Sequence, residues 1–271
     1  MTYEKEYYEN DAFWKDGVLE DETNLHRFNI TAGFIPEEVN SLADIGCGNG
    51  VFINRLTKDR AFNRLVGVDR SLSALHFVQT EKYHSDISDL PIEDSTFDCV
   101  TCLEVLEHLP VTVYQKSLNE LARVAKNYII VSVPFRENLI EAFNKCPSCS
   151  SCFNRDLHLR SYVEKDIVSL FDSFGFSCVK VEKLGYSTQY LGHFRFRKIF
   201  YPEQFMKWNS PICPICGFSE QLVINDSANF SLKKSFSIKN LIVPLFTKIP
   251  KILWPRVSKP YWILALYKKN H

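Results

Sequence analysis

Four short apolar runs recur along the first half of the chain, each bounded by turn signals: 41–46 (SLADIG), 64–68 (RLVGV), 97–103 (FDCVTCL) and 127–133 (NYIIVSV). Helix-like segments fall between them at 50–58, 72–79 and 111–125. A strand with one wet face alternates apolar and polar residues, whereas a nearly continuous apolar run is covered on both faces. Such runs alternating with helices predict a parallel sheet layered between helices, an α/β fold. The 111–125 segment fits that layer, because Val113, Leu118, Leu121, Val124 and Ala125 fall near one face. A weaker strand is expected at 82–86, a leading helix at 23–39 turning at Pro36, a late helix at 163–174, and strands at 176–183 and 261–269.

Composition narrows the function classes. The chain has 271 residues, 45% hydrophobic and 24% charged, which excludes disordered and collagen-like chains. Lys and Arg number 32 and Asp and Glu 32, so a global basic field for nucleic acid is absent. No run approaches the ~18 apolar residues of a membrane span. The first residues are polar with interspersed aromatics (Tyr3, Tyr7, Tyr8, Phe13, Trp14) and lack the apolar core of a signal peptide. They are expected to form an arm that folds onto another surface, in a protein that stays in a reducing cytoplasm.

The most informative segment is Leu42-Ala43-Asp44-Ile45-Gly46-Cys47-Gly48-Asn49-Gly50-Val51-Phe52. A strand runs into three alternating glycines and a helix follows at once. A bare βα turn needs fewer; three let a ligand approach the main chain closely. The spacing is GxGxG rather than the GxGxxG of dinucleotide binders, and Asp44 would repel a pyrophosphate and attract a cationic ligand. The next strand ends at Asp69, where an acid can accept both hydroxyls of a ribose. Asp86, after the third strand, is placed to accept from an adenine amino group.

In order and spacing, DIGCGNG, VGVD, SDISDLPIEDSTFDCV, LEVLEHL and LARVAKNYIIVSVP resemble the class I S-adenosylmethionine (AdoMet) dependent methyltransferases, over roughly 40–135. The resemblance implies a Rossmann-like seven-stranded mixed sheet, order 3-2-1-4-5-7-6, with the last strand antiparallel. It assigns Asp44, Gly46, Gly48 and Gly50 to the methionine part of the cofactor. It gives Asp69 to the ribose, Arg70, Asp86 and Ile87 to the adenine, and Glu104 to the methionine end.

Nine cysteines in a reducing compartment need an explanation other than disulfides. Cys99 and Cys178 lie in apolar runs and read as small buried hydrophobes. Cys146/Cys149 and Cys213/Cys216 form two CxxC pairs, each with Pro after its first cysteine. A redox CxxC opens a helix in a thioredoxin-like unit, a context neither pair has. One structural Zn2+ with Cys146, Cys149, Cys213 and Cys216 as ligands is the favoured reading. Cys152 can replace a ligand, and His158 is a ligand, a base, or a histidine packed beneath the knuckle near Asp156. In the sheet implied by the resemblance, the loops carrying both pairs leave the carboxyl edge, where ligands bind. A zinc-bearing lid over the acceptor pocket follows.

The expected plan is an N-terminal arm and helix (1–40), a cofactor-binding core (41–143), a first knuckle loop (144–162), a core helix and strand (163–185), an insertion with the second knuckle (186–259) and a final core strand (260–271). His108 is the candidate catalytic base, its other role being to organise the EHLP turn. The acceptor is expected to be a small molecule or glycan, since a basic excess is lacking and the insertion is aromatic-rich (Phe194, Phe196, Phe200, Tyr201, Phe205, Trp208). The stretch 238–256, with Trp254, reads as a wall of the substrate region or a peripheral membrane contact. Two alternatives stand: a nicotinamide-dependent oxidoreductase, and a nucleic-acid-binding module using Arg195, Arg197, Lys198 and Lys207.

Overall fold

The structure is a computed structural model that describes residues 8–9, 14, 21–139, 143–190, 213, 215–216, 218 and 256–270. The chain divides into two compact units, one of residues 1–137, 158–185 and 260–271, the other of 138–157 and 186–259.

The first unit is built on a seven-stranded sheet. Helix α1 (Glu22–Ala32) starts at Asp21, whose carboxylate accepts from the amides of Thr23 and Asn24. Then come β1 (Ser41–Ile45), α2 (Val51–Asp59), β2 (Arg64–Asp69), α3 (Leu72–Leu75), β3 (Glu81–His84), β4 (Phe97–Leu103), a 3-10 turn at Leu106–His108, α4 (Val111–Val124) and β5 (Ala125–Pro134). After the excursion into the second unit, which holds β6 (Phe143–Lys145) and β7 (Cys152–Asn154), the chain returns for α5 (Glu164–Val168) and β8 (Phe176–Leu184). A second excursion holds β9 (Ser187–Tyr190) and β10 (Arg256–Lys259), and β11 (Trp262–Lys269) completes the sheet.

The sheet order is β3-β2-β1-β4-β5-β11-β8. β11 is antiparallel to both neighbours, and the pairings among β1 to β5 are parallel. Counted within the sheet, β8 is sixth and β11 seventh, so the order is the expected 3-2-1-4-5-7-6. Successive side chains of the central strands fall into two cores: Ala43, Val100 and Ile129 in one, Leu42, Cys99 and Ile130 in the other. Burial on both faces is why these runs are apolar throughout. The edges are polar: β3 reads Glu-Lys-Tyr-His, and β8 exposes Lys180, Glu182 and Val179. Cys178 lies on that edge and is partly exposed, so only Cys99 of the two is a buried hydrophobe.

Three helices are shorter than expected. The leading helix stops at Ala32 beside Gly33 instead of running to 39. α3 stops at Leu75, whose carbonyl accepts from Lys82 Nζ, and just past it Lys82 Nζ also donates to the Val78 carbonyl and Asn54 Nδ2 to that of Phe77. The 163–174 segment splits into α5 and a 3-10 turn at Asp172–Phe174, and the Tyr267 hydroxyl donates to the Ile167 carbonyl near the end of α5.

In the second unit β6 pairs with β7 and β9 with β10, both antiparallel. The aromatic series Phe194–Trp208, the basic residues Arg195, Arg197, Lys198 and Lys207, and the stretch 238–255 lie outside the described residues. No helix among the described residues is long and apolar enough to cross a membrane.

Candidate active site and four-cysteine cluster

The candidate site occupies the carboxyl edge of β1, β2, β4 and β5. β1 leads into Gly46, Gly48 and Gly50, all at positive φ (+76°, +54° and +76°). The turn is fixed from below, with the amides of Gly46 and Cys47 donating to the Val68 carbonyl at 2.7 and 3.0 Å. A Cβ on Gly46 would lie 2.4 Å from Val105 Cγ2, so only glycine lets this loop approach the turn after β4.

Asp44 and Asp69 flank the loop. Asp44 is buried, accepts from Thr101 Oγ1 at 2.6 Å, and burial pushes its carboxyl up to about 7. Asp69 accepts from the amides of Gly48 and Ser71, one on each carboxylate oxygen, both at 2.8 Å. Each oxygen keeps a further lone pair for a ligand hydroxyl. The Ser85 amide donates to the Asp69 carbonyl, which ties the turn bearing Asp86 and Ile87 to the end of β2. Asp86 there accepts from the amide and hydroxyl of Ser88 at 2.8 and 2.7 Å, and Ile87 packs against the larger core.

Of the expected arm, Tyr8, Glu9 and Trp14 are described and lie against this loop and the turn after β2, while Tyr3, Tyr7 and Phe13 lie outside the described residues. A Cβ on Gly48 would sit 2.9 Å from the Trp14 indole, and Trp14 Nε1 donates to the Tyr8 carbonyl at 2.6 Å. That carbonyl also accepts from Ser71 Oγ at 2.7 Å, and the Glu9 carboxylate accepts from the amides of Leu72 and Ser73 at 3.3 Å. The Arg70 guanidinium lies 5.3 Å from the centre of the Tyr8 ring, within cation–π range.

Past β4 the backbone turns at Glu104, a non-glycine residue held at φ +58°. Its carboxylate accepts from Ser132 Oγ at 2.6 Å and Trp262 Nε1 at 2.8 Å, and Arg27 Nη1 lies 3.6 Å away. The next turn carries Glu107 and His108. Glu107 is wholly buried, and burial together with the Glu104 charge pushes its carboxyl well above the usual range. The rings of His108 and His158 meet edge to face at 4.7 Å.

His158 corrects an expectation. Asp156 pairs instead with Arg155 at 2.9 Å, and His158 Nδ1 meets Glu137 at 2.5 Å. His158 reaches the site because the Leu159 amide donates to the Glu107 carbonyl at 2.8 Å and Arg160 donates to that of Leu109. Sequence reasoning also missed Arg27, Glu107 and Glu137. Only Glu107, inside the LEVLEHL segment, stood beside a residue already singled out.

Within the second unit the cysteines converge. The Sγ atoms of Cys146 and Cys216 are 3.6 Å apart and those of Cys149 and Cys213 are 3.8 Å apart, with all four within 4.8 Å of one another. A zinc tetrahedron with bonds of ~2.3 Å has edges of about 3.8 Å, so the donor set fits the ion by chemistry and spacing. Cys152 lies outside the cluster, on β7.

The methyltransferase-domain family matches residues 43–130, from the middle of β1 into β5. The matched stretch holds the glycine loop, Asp44, Asp69 and Asp86. An uncharacterized protein of Methanocaldococcus jannaschii is 44% identical to the chain over 107 residues, covering 37% of the chain and 44% of that protein. A ubiquinone biosynthesis O-methyltransferase of Aliivibrio fischeri is 30% identical over 102 residues, covering 32% of the chain and 43% of that protein. The chain thus spans less than half the length of these curated relatives. Among solved structures, a SAM-dependent methyltransferase from Archaeoglobus fulgidus superposes with a TM-score of 0.56 at 17% identity, covering 96% of the chain and all of that protein, a likeness of fold.

Proposed function

We propose that the protein transfers a methyl group from AdoMet to a small-molecule or glycan-type acceptor. The observation that carries this reading is a coincidence of place: the matched family segment 43–130 contains the glycine loop and the acids Asp44, Asp69 and Asp86 gathered on one sheet edge. Gly46, Gly48, Gly50, Asp44 and Glu104 would hold the methionine part, Asp69 the ribose, and Arg70, Asp86 and Ile87 the adenine.

When bound, AdoMet supplies a sulfonium methyl carbon open to in-line attack. The protein's own contribution is chiefly positioning. Asp69 offers acceptors already oriented by two backbone amides, and Asp44 offers a negative charge that a cationic ligand stabilises. Trp14 and Tyr8 exclude water from the loop side. His108 faces the region beyond Glu104, where an acceptor's proton must be managed.

In the second unit, Cys146, Cys149, Cys213 and Cys216 would hold a structural Zn2+, which ties the 138–157 segment to the 186–259 segment. All four chain crossings between the units leave the first unit at the ends of β5 and β8, the start of α5's lead-in and the start of β11.

Calorimetric titration with AdoMet and, separately, with NAD tests the assignment. AdoMet should bind one per chain and NAD should not. Asp69→Ala should weaken AdoMet binding by about 1.5–3 kcal/mol, the worth of hydrogen bonds to a charged group. Binding of NAD in place of AdoMet would overturn the reading, and undiminished affinity in Asp69→Ala would remove Asp69 from it.

A further inference from the structure

A second cluster of metal-ligating side chains, distinct from the four cysteines, lies within the first unit. Ligand atoms of Glu107, His108 and His158 all lie within 4.8 Å of one another. Glu107 is wholly buried, and neither of its carboxylate oxygens has a hydrogen-bond partner. Buried polar groups are normally satisfied, and an unsatisfied buried carboxylate is costly. The nearest cationic candidate, His108 Nε2, is 4.0 Å from Glu107 Oε1, too far for a hydrogen bond.

The histidines are prepared for the same purpose. His158 Nδ1 is engaged by Glu137 at 2.5 Å. A carboxylate on the far ring nitrogen is the usual support of a metal-ligating histidine, fixing its tautomer and orientation. His108 Nδ1 lies 3.4 Å from the Tyr8 hydroxyl, so its Nε2 is the atom on the Glu107 side. Three contacts hold the arrangement together across some fifty residues of sequence: Leu159 to Glu107, Arg160 to Leu109, and ring against ring between His108 and His158.

We infer that Glu107, His108 and His158 bind a divalent cation of the Mn2+, Fe2+ or Zn2+ class, with Glu137 as the supporting carboxylate. Two imidazoles and one carboxylate suit such ions better than Mg2+ or Ca2+, which favour oxygen alone. Three protein ligands leave open positions, as in catalytic rather than structural sites. The turn bearing Glu107 and His108 directly follows Glu104, so the open positions are placed for an oxygen of the methyl acceptor. That last step rests on the methyltransferase reading; the metal site does not. With an ion bound, His108 is a ligand, and the ion lowers the pKa of the acceptor hydroxyl in place of a base.

The experiment is a Mn2+ titration of the full chain, followed by electron paramagnetic resonance, since thiolates are poor ligands for Mn2+. One saturable Mn2+ per chain is expected. Glu107→Gln and His158→Asn should each weaken it at least tenfold, while Cys213→Ser retains the stoichiometry. Circular dichroism and AdoMet calorimetry on each variant show whether it folds, and His158→Asn serves if Glu107→Gln does not. Absence of saturable Mn2+ in protein that binds AdoMet would overturn the site, as would equal affinity in the folded variants. Failure of AdoMet to bind while Mn2+ does would overturn the methyltransferase reading alone.

Discussion

Asp44 titrates in the unfolded chain near pH 4 and in the folded protein near 7, because burial disfavours its charge. Between those values the folded chain holds the extra proton, so this group makes stability fall as pH rises. A cationic ligand beside the carboxylate reverses the preference and expels the proton. AdoMet affinity should therefore drop as pH is lowered from about 8 to about 6, by no more than about tenfold per unit. Calorimetry in two buffers of different ionisation enthalpy would show the released proton, and Asp44→Asn should flatten the profile. Arg27 makes a second residue-scale case. It is buried on α1 against Glu104, Ser132 and the Trp262 ring. Arg27→Met keeps the packing and strips Glu104 of its cation. Because Glu104 is partly exposed, the loss should fall somewhat below that of a fully buried pair, at about 2–3 kcal/mol by urea unfolding. Asp44 was legible in sequence because its motif is local. Arg27 was not, since nothing in ETNLHRFNITA announces a partner beyond β4.

At the scale of elements, the sheet was readable and the helix ends were not. Apolar runs buried on two faces announce themselves, and each expected strand of the sheet is found within a few residues. The ends of α3 and α5 depend on Lys82, Asn54 and Tyr267, side chains that reach in from other elements. The cluster around Glu107 was hidden for the same reason, because β5's exit and the 158–160 segment assemble it from three places. The arm was half legible: its aromatics required a surface, and for Trp14 that surface is the glycine loop. If Trp14 closes the cofactor loop, Trp14→Ala should speed AdoMet dissociation about tenfold, on the scale of one buried aromatic contact worth ~1.5 kcal/mol or more. Stopped-flow displacement reads this directly, and an unchanged rate would mean that the arm packs without gating.

For the whole molecule, the division into two units predicts separable stabilities. Purified protein should carry about one zinc per chain in the four-cysteine cluster. Its removal by chelator should leave AdoMet affinity within about tenfold, or ~1.4 kcal/mol, while unit two becomes open to protease. Elemental analysis, calorimetry and limited proteolysis on one preparation would decide it, and loss of AdoMet binding in step with zinc would abandon the division.

β11 lies between β5 and β8, yet it is the last strand of the sheet to be translated. While residues 185–261 are being made, β5 has an open edge and β8 has no neighbour at all. At ~5–20 residues per second that interval lasts about 4 to 15 seconds, long on the timescale of intermolecular strand pairing. The growing chain therefore passes this interval with its sheet unfinished, a state in which holding chaperones have something to hold. Chains stalled before Trp262 emerges should remain sensitive to protease at β5 and β8, and become resistant once Lys269 has cleared the exit tunnel.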